Sequence, residues 1–271
     1  MATRHPHTGA PSRWHSLLEW RALAEIAALP LAWPLLGSVP QGDGHPVLLL
    51  PGFMADESSL VALKRFLNGR GYAVQTWGLG RNVGFQPRHA EALVRKITDV
   101  HRQTGRTVSL VGWSLGGVFA LYGGLTLPKV VRQIVTLGSP VNIDMAAGSQ
   151  SPALVQAVYR WMVDPQGPQV HADQPHAKAL REHRLPLMPM SCLYSLSDGV
   201  VPPQEATVDG DPGRFENIRV SGSHTGLGFN AMVLAVVADR LAQPEGRWQP
   251  FKPAGWPGLL YRSVTHSLLP L

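Results

Sequence analysis

The chain has 271 residues, of which 44% are hydrophobic and 15% charged, and it carries a formal net charge of +6. This length supports a sizeable core, and the composition excludes a highly charged disordered polymer, a collagen and a coiled coil. One Cys excludes an internal disulfide framework and a cysteine-rich metal cluster. The positive charge forms no long basic run and no nucleic-acid motif accompanies it, so no nucleic-acid partner is expected.

Residues 1–44 read as a helical extension packed on the domain that follows. Arg4, Arg13 and Arg21 share this stretch with Glu19 and Glu25, and the uncharged segment Ile26 to Gly42 comes next. No short basic region with a small-residue cleavage site marks a signal peptide. Pro30, Pro34 and Pro40 interrupt the uncharged segment, which falls short of the roughly 20 apolar residues of a bilayer span. A helix from Trp14 to about Leu29 is expected. The alternative is a peripheral membrane contact through Leu31, Trp33, Leu35 and Leu36. The corresponding expectation for location is the cytoplasm, with membrane association as the alternative.

From residue 45 to 241, short apolar runs alternate with helical patterns. Val47 to Leu50, flanked by Pro46 and Pro51, is a strand buried on both faces. Ser58 and Ser59 are candidate caps for a helix with Leu60, Leu63 and Leu67 on its apolar face, ended by Gly69 and Gly71. Tyr72 to Trp77 is the next strand. Ala90, Leu93, Val94, Ile97 and Val100 follow amphipathic-helix spacing, closed by Gly105. Val108 to Val111 is a strand and Leu115 to Leu125 a helix. Gln133 to Leu137, Met190 to Ser195 and Asn217 to Val220 are further strands, and Phe229 to Leu241 is the last helix. Such alternation predicts an α/β fold with a mostly parallel central sheet and helices on both faces. Residues 141–189 interrupt the alternation. They contain one helix, Ala153 to Met162, and read either as a lid or cap insertion or as a segment packed on the sheet domain. Residues 242–271 form a C-terminal tail.

Gly112-Trp-Ser-Leu-Gly116 lies between a strand and a helix and matches G-x-S-x-G. In that context the serine sits on a sharp turn at a helix N-terminus, where free N–H groups and the helix dipole favour a developing oxyanion. A serine hydroxyl needs a base, and the base needs an orienting carboxylate. Among the histidines after Ser114, His224 stands in the small-residue loop Ser221 to Gly226, directly after a strand. His171, His176 and His183 fall in or beside the insertion, and His266 falls in the tail. Asp198 is the one acid that immediately follows the penultimate strand with a Gly beside it. Pro51-Gly-Phe-Met54 follows the first strand and offers a second oxyanion donor, from Phe53 or Met54, to complement the N–H of Leu115.

Leu-Pro-Gly-Phe at 50–53, Gly-Trp-Ser-Leu-Gly-Gly at 112–117, Thr-Leu-Gly-Ser-Pro at 136–140, Ser-Asp-Gly-Val-Val-Pro at 197–202 and Ser-His at 223–224 together resemble the α/β-hydrolase superfamily. Within it the chain is most similar to bacterial triacylglycerol lipase and esterase relatives, over roughly residues 45–241. The resemblance implies the roles of nucleophile, acid and base for Ser114, Asp198 and His224, and oxyanion roles for Phe53 and Leu115. Two positions depart from the pattern: Pro51 stands where many lipases have His before Gly, and Trp113 where they often have His.

The remaining signals are structural. Gly78 to Gly84 has one residue too many for a dinucleotide fingerprint and reads as a loop. His171, His176, Glu182 and His183 lack zinc spacing, so no metal is expected, and no cofactor. Cys192 reads as inert core, and Ser139 as a turn cap. The reading is a cofactor-independent serine hydrolase of carboxylic esters. Met54, Phe85, Trp113 and Trp161 are candidate contacts for an apolar acyl or aryl group of a small or lipid-like ester. The alternatives are an acyltransferase on the same three residues and a non-catalytic relative serving as a binding or scaffold protein.

Overall fold

A computed structural model describes residues 18–84, 86–142 and 185–253, together with Gly258 and Tyr261. The helix expected at 153–162, most of the proposed lid, and the side chains of Phe85, Trp161, His171, His176, Glu182 and His183 lie outside the described residues.

Six strands form one sheet: β1 (Pro46–Leu50), β2 (Ala73–Thr76), β3 (Val108–Trp113), β4 (Val131–Leu137), β5 (Met190–Ser195) and β6 (Phe215–Val220). Their order is β2-β1-β3-β4-β5-β6, and every pairing among the described residues is parallel. Helices described along their whole length are α1 (Ala22–Ala32), α2 (Val61–Gly69), α3 (Pro87–Thr104), α4 (Leu115–Thr126) and α5 (Ala231–Leu241). Parallel strands need crossovers that cover both faces, which is why β1 is an unbroken apolar run. Val47 and Leu49 join one buried cluster with Leu63 and Leu67 of α2 and Val233 and Val237 of α5. Leu48 and Leu50 point the other way, into a second cluster with Leu93 and Ile97 of α3 and Phe119 of α4.

Several boundaries moved from their sequence-based positions, each for a local reason. The cap before α2 is Asp56, whose carboxylate accepts the Ser58 N–H at 2.9 Å and opens a short 3-10 turn, Glu57–Leu60. Ser58 is therefore a donor to the cap and not the cap itself. Helix α3 starts at Pro87, where a missing N–H costs nothing, and ends at Gly105, which takes a left-handed φ of 64°. Helix α1 is preceded by a 3-10 turn, Leu18–Arg21, and runs on past Pro30 to Ala32. Pro30 is exposed, so water can meet the carbonyl one turn back that the proline leaves unpaired. Of the four residues considered for a membrane contact, Leu31, Trp33 and Leu35 are exposed and Leu36 is buried. No described helix is long and apolar enough to cross a membrane.

The order of strands positions the site. From β1 the chain moves outward to β2, then returns to place β3 on the opposite side of β1. The two connections diverge at the C-terminal ends of β1 and β3, and open parallel sheets bind ligands in the crevice this divergence leaves. Pro51–Met54 leaves β1 there, and Ser114 leaves β3 beside it. At the far edge, the segment after α5 folds back on β6. The Phe251 N–H donates to Glu216 at 2.6 Å and the Tyr261 hydroxyl to the Arg219 carbonyl at 2.7 Å, covering part of a strand edge.

Candidate active site

Ser114 joins β3 to α4 with φ 53° and ψ −124°, a conformation that a residue with a Cβ adopts at a cost of order 1–3 kcal/mol. The turn is tight because the strand and helix meet through glycine. A Cβ on Gly112 would overlap the Gly116 carbonyl, and a Cβ on Gly116 would overlap the Leu50 carbonyl of β1. Only hydrogen at both positions lets the helix start directly above the strand. The Ser114 N–H is held by the Leu137 carbonyl at 2.9 Å, which fixes the turn to β4. Leu115 is the first residue of α4, so its N–H has no carbonyl one turn back to bond within the helix.

His224 and Asp198 come from the loops after β6 and β5, and the strand order brings both to the same end of the sheet. His224 Nδ1 is 2.8 Å from Asp198 Oδ2, and His224 Nε2 is 3.0 Å from Ser114 Oγ. A carboxylate only accepts, so Nδ1 carries the hydrogen. Nε2 is then the bare nitrogen and accepts from the serine hydroxyl. Asp198 and His224 are both buried. The other oxygen of Asp198 accepts the N–H groups of Val200 and Val201, each at 2.8 Å, so one carboxylate closes its own Asx turn and orients the imidazole as well. Burial pushes the His224 pKa down, but the charge and hydrogen bond of Asp198, with the charge of Glu19, outweigh it and hold the ring above its ordinary value.

The loop after β1 lies against Ser114: a Cβ on Gly52 would stand 3.1 Å from the Ser114 Cβ. The Met54 N–H, one of the two donors considered for this loop, donates to the Asn82 carbonyl at 2.7 Å. In the sequence Asn82 reads only as part of a glycine loop. It is fully buried and ties down residues 51–55, donating its side-chain amide to the Pro51 carbonyl at 2.8 Å and its backbone N–H to Ala55 at 2.8 Å. The one signal in the sequence was an Asn between two glycines, which specifies a turn and nothing more. Trp113, a candidate substrate contact, donates its indole N–H to the His224 carbonyl at 3.0 Å, with its ring 5.9 Å from the imidazole. Ser139 is buried behind the elbow, its hydroxyl 3.3 Å from the Gly112 carbonyl. Cys192 is buried in β5, and its thiol is pushed up to about 12, so it is unreactive at neutral pH.

The same three residue types meet once more, at the other end of the sheet. His45 Nδ1 is 2.5 Å from Asp43 and His45 Nε2 is 3.0 Å from Ser109 Oγ. His45 and Ser109 have no exposed surface, so no substrate carbonyl reaches that hydroxyl. Asp43 also meets Arg106 at 2.6 Å and Arg132 at 3.5 Å, and the cluster ties the starts of β1, β3 and β4 together. Among the described residues no group of His, Cys, Asp and Glu is placed to hold a metal ion.

No family model matches the chain, and no curated protein matches its sequence. Solved structures do match. Aspergillus fumigatus lipase B superposes with a TM-score of 0.53 at 17% identity, over 78% of this chain and 56% of the lipase, so the chain spans little more than half of that protein. Bacillus licheniformis lipase BlEst2 in its mature form gives 0.50 at 15% identity, over 76% of this chain and 95% of the lipase. A lipase-esterase related protein from Clostridium acetobutylicum gives 0.50 at 16% identity, over 73% and 95%. Together with the parallel sheet, these place the chain in the α/β-hydrolase fold. At such identities the likeness speaks for the fold alone.

Proposed function

We propose that the protein is a cofactor-independent hydrolase of carboxylic esters that uses Ser114 as nucleophile, His224 as general base and acid, and Asp198 to orient the imidazole. One observation carries this reading: the Ser114 hydroxyl is 3.0 Å from His224 Nε2 and the opposite ring nitrogen is 2.8 Å from Asp198, with the serine on a strained turn at a helix N-terminus. The three structural neighbours are called lipases or lipase-esterase related, which agrees with the reaction class.

Ser114 Oγ attacks the ester carbonyl carbon while its proton passes to His224 Nε2. The carbonyl oxygen becomes an oxyanion, received by the Phe53 and Leu115 N–H groups. Collapse breaks the bond to the alkoxide, which takes the proton from His224 and leaves as alcohol. Water then attacks the acyl-enzyme with His224 again as base, and the carboxylic acid leaves as Ser114 regains its proton. Each oxyanion donor is worth about 2.7–4 kcal/mol of barrier. Phe53 and Met54 beside the elbow favour an apolar acyl or aryl group.

The test is hydrolysis of p-nitrophenyl esters across acyl lengths, with Ser114→Ala in parallel and products compared with and without added alcohol. Turnover lost in the variant is the expected result. Equal turnover by the variant rejects the assignment, and acyl transfer to the alcohol in preference to water would make the protein an acyltransferase.

A further inference from the structure

Two side chains at the C-terminal ends of strands reach the base loop, which carries His224: the Trp113 indole of β3 donates to the His224 carbonyl and the Ser195 hydroxyl of β5 to the Gly222 carbonyl at 2.7 Å. β5 ends at Ser195 and β6 at Val220, and beyond them the ladder of strand-to-strand bonds stops. Several backbone N–H groups in the loops that carry Asp198 and His224 go to two carboxylates about 200 residues away in sequence. Glu19 Oε1 accepts from the backbone N–H of His224 and of Gly199, each at 2.9 Å, and Glu19 Oε2 accepts from Thr225 at 2.9 Å. One carboxylate thus bridges the acid loop and the base loop. Glu25, on α1, accepts from the Ser223 N–H at 2.7 Å and the Ser223 hydroxyl at 2.8 Å, and from the Asn230 side chain at 3.0 Å. Asn230 in turn caps α5. Between the two acids, Arg21 donates to the Ser197 carbonyl at 3.0 Å.

The base loop is shaped to receive this segment. A Cβ on Gly226 would overlap the Glu25 carboxylate, and a Cβ on Gly222 would stand 2.9 Å from it. Hydrogen bonds to an ionised acceptor are roughly twice as strong as neutral ones, and these are made where the imidazole must be held to a fraction of an ångström. His224 is then gripped on both sides of its Cα, its N–H by Glu19 and its carbonyl by the Trp113 indole.

We propose that Glu19 and Glu25 are positioning residues of the active site: the segment 18–32 straps the acid loop to the base loop and fixes the His224 imidazole in register with Ser114. This rests on the hydrolase reading above for its catalytic consequence, and on the contacts alone for its structural one. Neither glutamate touches the reacting atoms. Glutamine cannot replace Glu19, because whichever way its amide turns, an N–H₂ faces a backbone N–H.

The experiment uses the full chain with Glu19→Gln, Glu19→Asp, Glu25→Gln and Gly226→Ala. Two readouts are taken: kcat and KM on a p-nitrophenyl ester, and the titration of the His224 imidazole by NMR, which needs no turnover. The charged groups facing that ring are Asp198 and Glu19, with Glu25 one residue behind it through Ser223. Glu19→Gln is expected to lower kcat about 10–100-fold with KM nearly unchanged, and to move the His224 midpoint to lower pH. Glu19→Asp keeps the charge and shortens the reach, so the midpoint should stay near the wild-type value while kcat falls. Gly226→Ala should reproduce Glu25→Gln by unseating the carboxylate. Folded variants with kcat within twofold of wild type and an unmoved His224 midpoint overturn the strap. Should the wild type hydrolyse no ester, the hydrolase reading falls by itself. The titration then decides the strap: a lowered midpoint in Glu19→Gln sustains it and an unmoved one rejects it.

Discussion

The Trp113 indole N–H donates to the backbone carbonyl of His224 at 3.0 Å, so the residue preceding Ser114 holds the residue whose imidazole faces the Ser114 hydroxyl. The two are 111 positions apart in the chain, and the bond ties the end of β3 to the loop after β6. Trp113→Phe keeps the ring and removes the donor. The expected outcome is a loss of about 1 kcal/mol of stability and a lower kcat with KM little changed, measured by denaturant unfolding and steady-state kinetics. A changed KM at constant kcat would instead make Trp113 a substrate contact.

The pH profile follows from the imidazole. In the proposed mechanism His224 must be neutral to accept the Ser114 proton, and Asp198 and Glu19 hold its pKa above the ordinary value of 6.5 against the opposing effect of burial. Activity should therefore rise with pH, and the acid limb of kcat/KM should have its midpoint above 6.5. Asp198→Asn removes the largest of the groups that raise the pKa. It should shift that limb to lower pH and reduce kcat by roughly 10³–10⁴-fold, since the neutral amide also favours the wrong tautomer.

Gly116→Ala is the sharpest test of the elbow. Its Cβ would overlap the Leu50 carbonyl and lie 2.9 Å from the Pro51 carbonyl, both backbone atoms with no rotamer to yield. Either β1 and α4 separate or the chain does not fold. The expected outcome is loss of activity with destabilisation of about 1–3 kcal/mol, the range for overpacking a tight site. Wild-type activity and stability in this variant would show that the strand and helix do not approach as closely as described.

The buried cluster at the far end of the sheet predicts sensitivity to acid. Burial holds His45 below its ordinary pKa, and Asp43 is well below the usual carboxylate range despite an opposing contribution from burial, through its bonds to His45 and Arg106. Both groups bind fewer protons in the folded state than in the unfolded one. Their contribution is complete above about pH 6.5 for His45 and above 3.8 for Asp43, and it is lost as pH falls towards the folded values. Unfolding free energy should therefore drop between pH 7 and pH 5 by more in the wild type than in His45→Asn. Parallel curves would remove His45 from the account.

Much of this was legible before the fold was known. The order Ser114, Asp198, His224 was readable because each residue lies within four positions of the end of a strand, and strands of a parallel sheet end at one edge whatever lies between them. The helix starts were less legible: Asp56 acts through a local hydrogen bond and Pro87 through a donor it lacks, and hydrophobic period reports neither. Glu19 and Glu25 left no signal at all. In the sequence they only count against a signal peptide, and their partners lie about 200 residues downstream. Asn82 was hidden for the same reason, because its bonds to Pro51 and Ala55 cross between two loops.

The central claim is that Ser114 is a nucleophile poised by His224. Its most direct test is the intact mass of the protein after exposure to a fluorophosphonate, followed by peptide mapping. One adduct, located on Ser114, absent from Ser114→Ala and slowed in Asp198→Asn, is the predicted result. Folded wild-type protein that takes up no label, or takes it up on another residue, would contradict it.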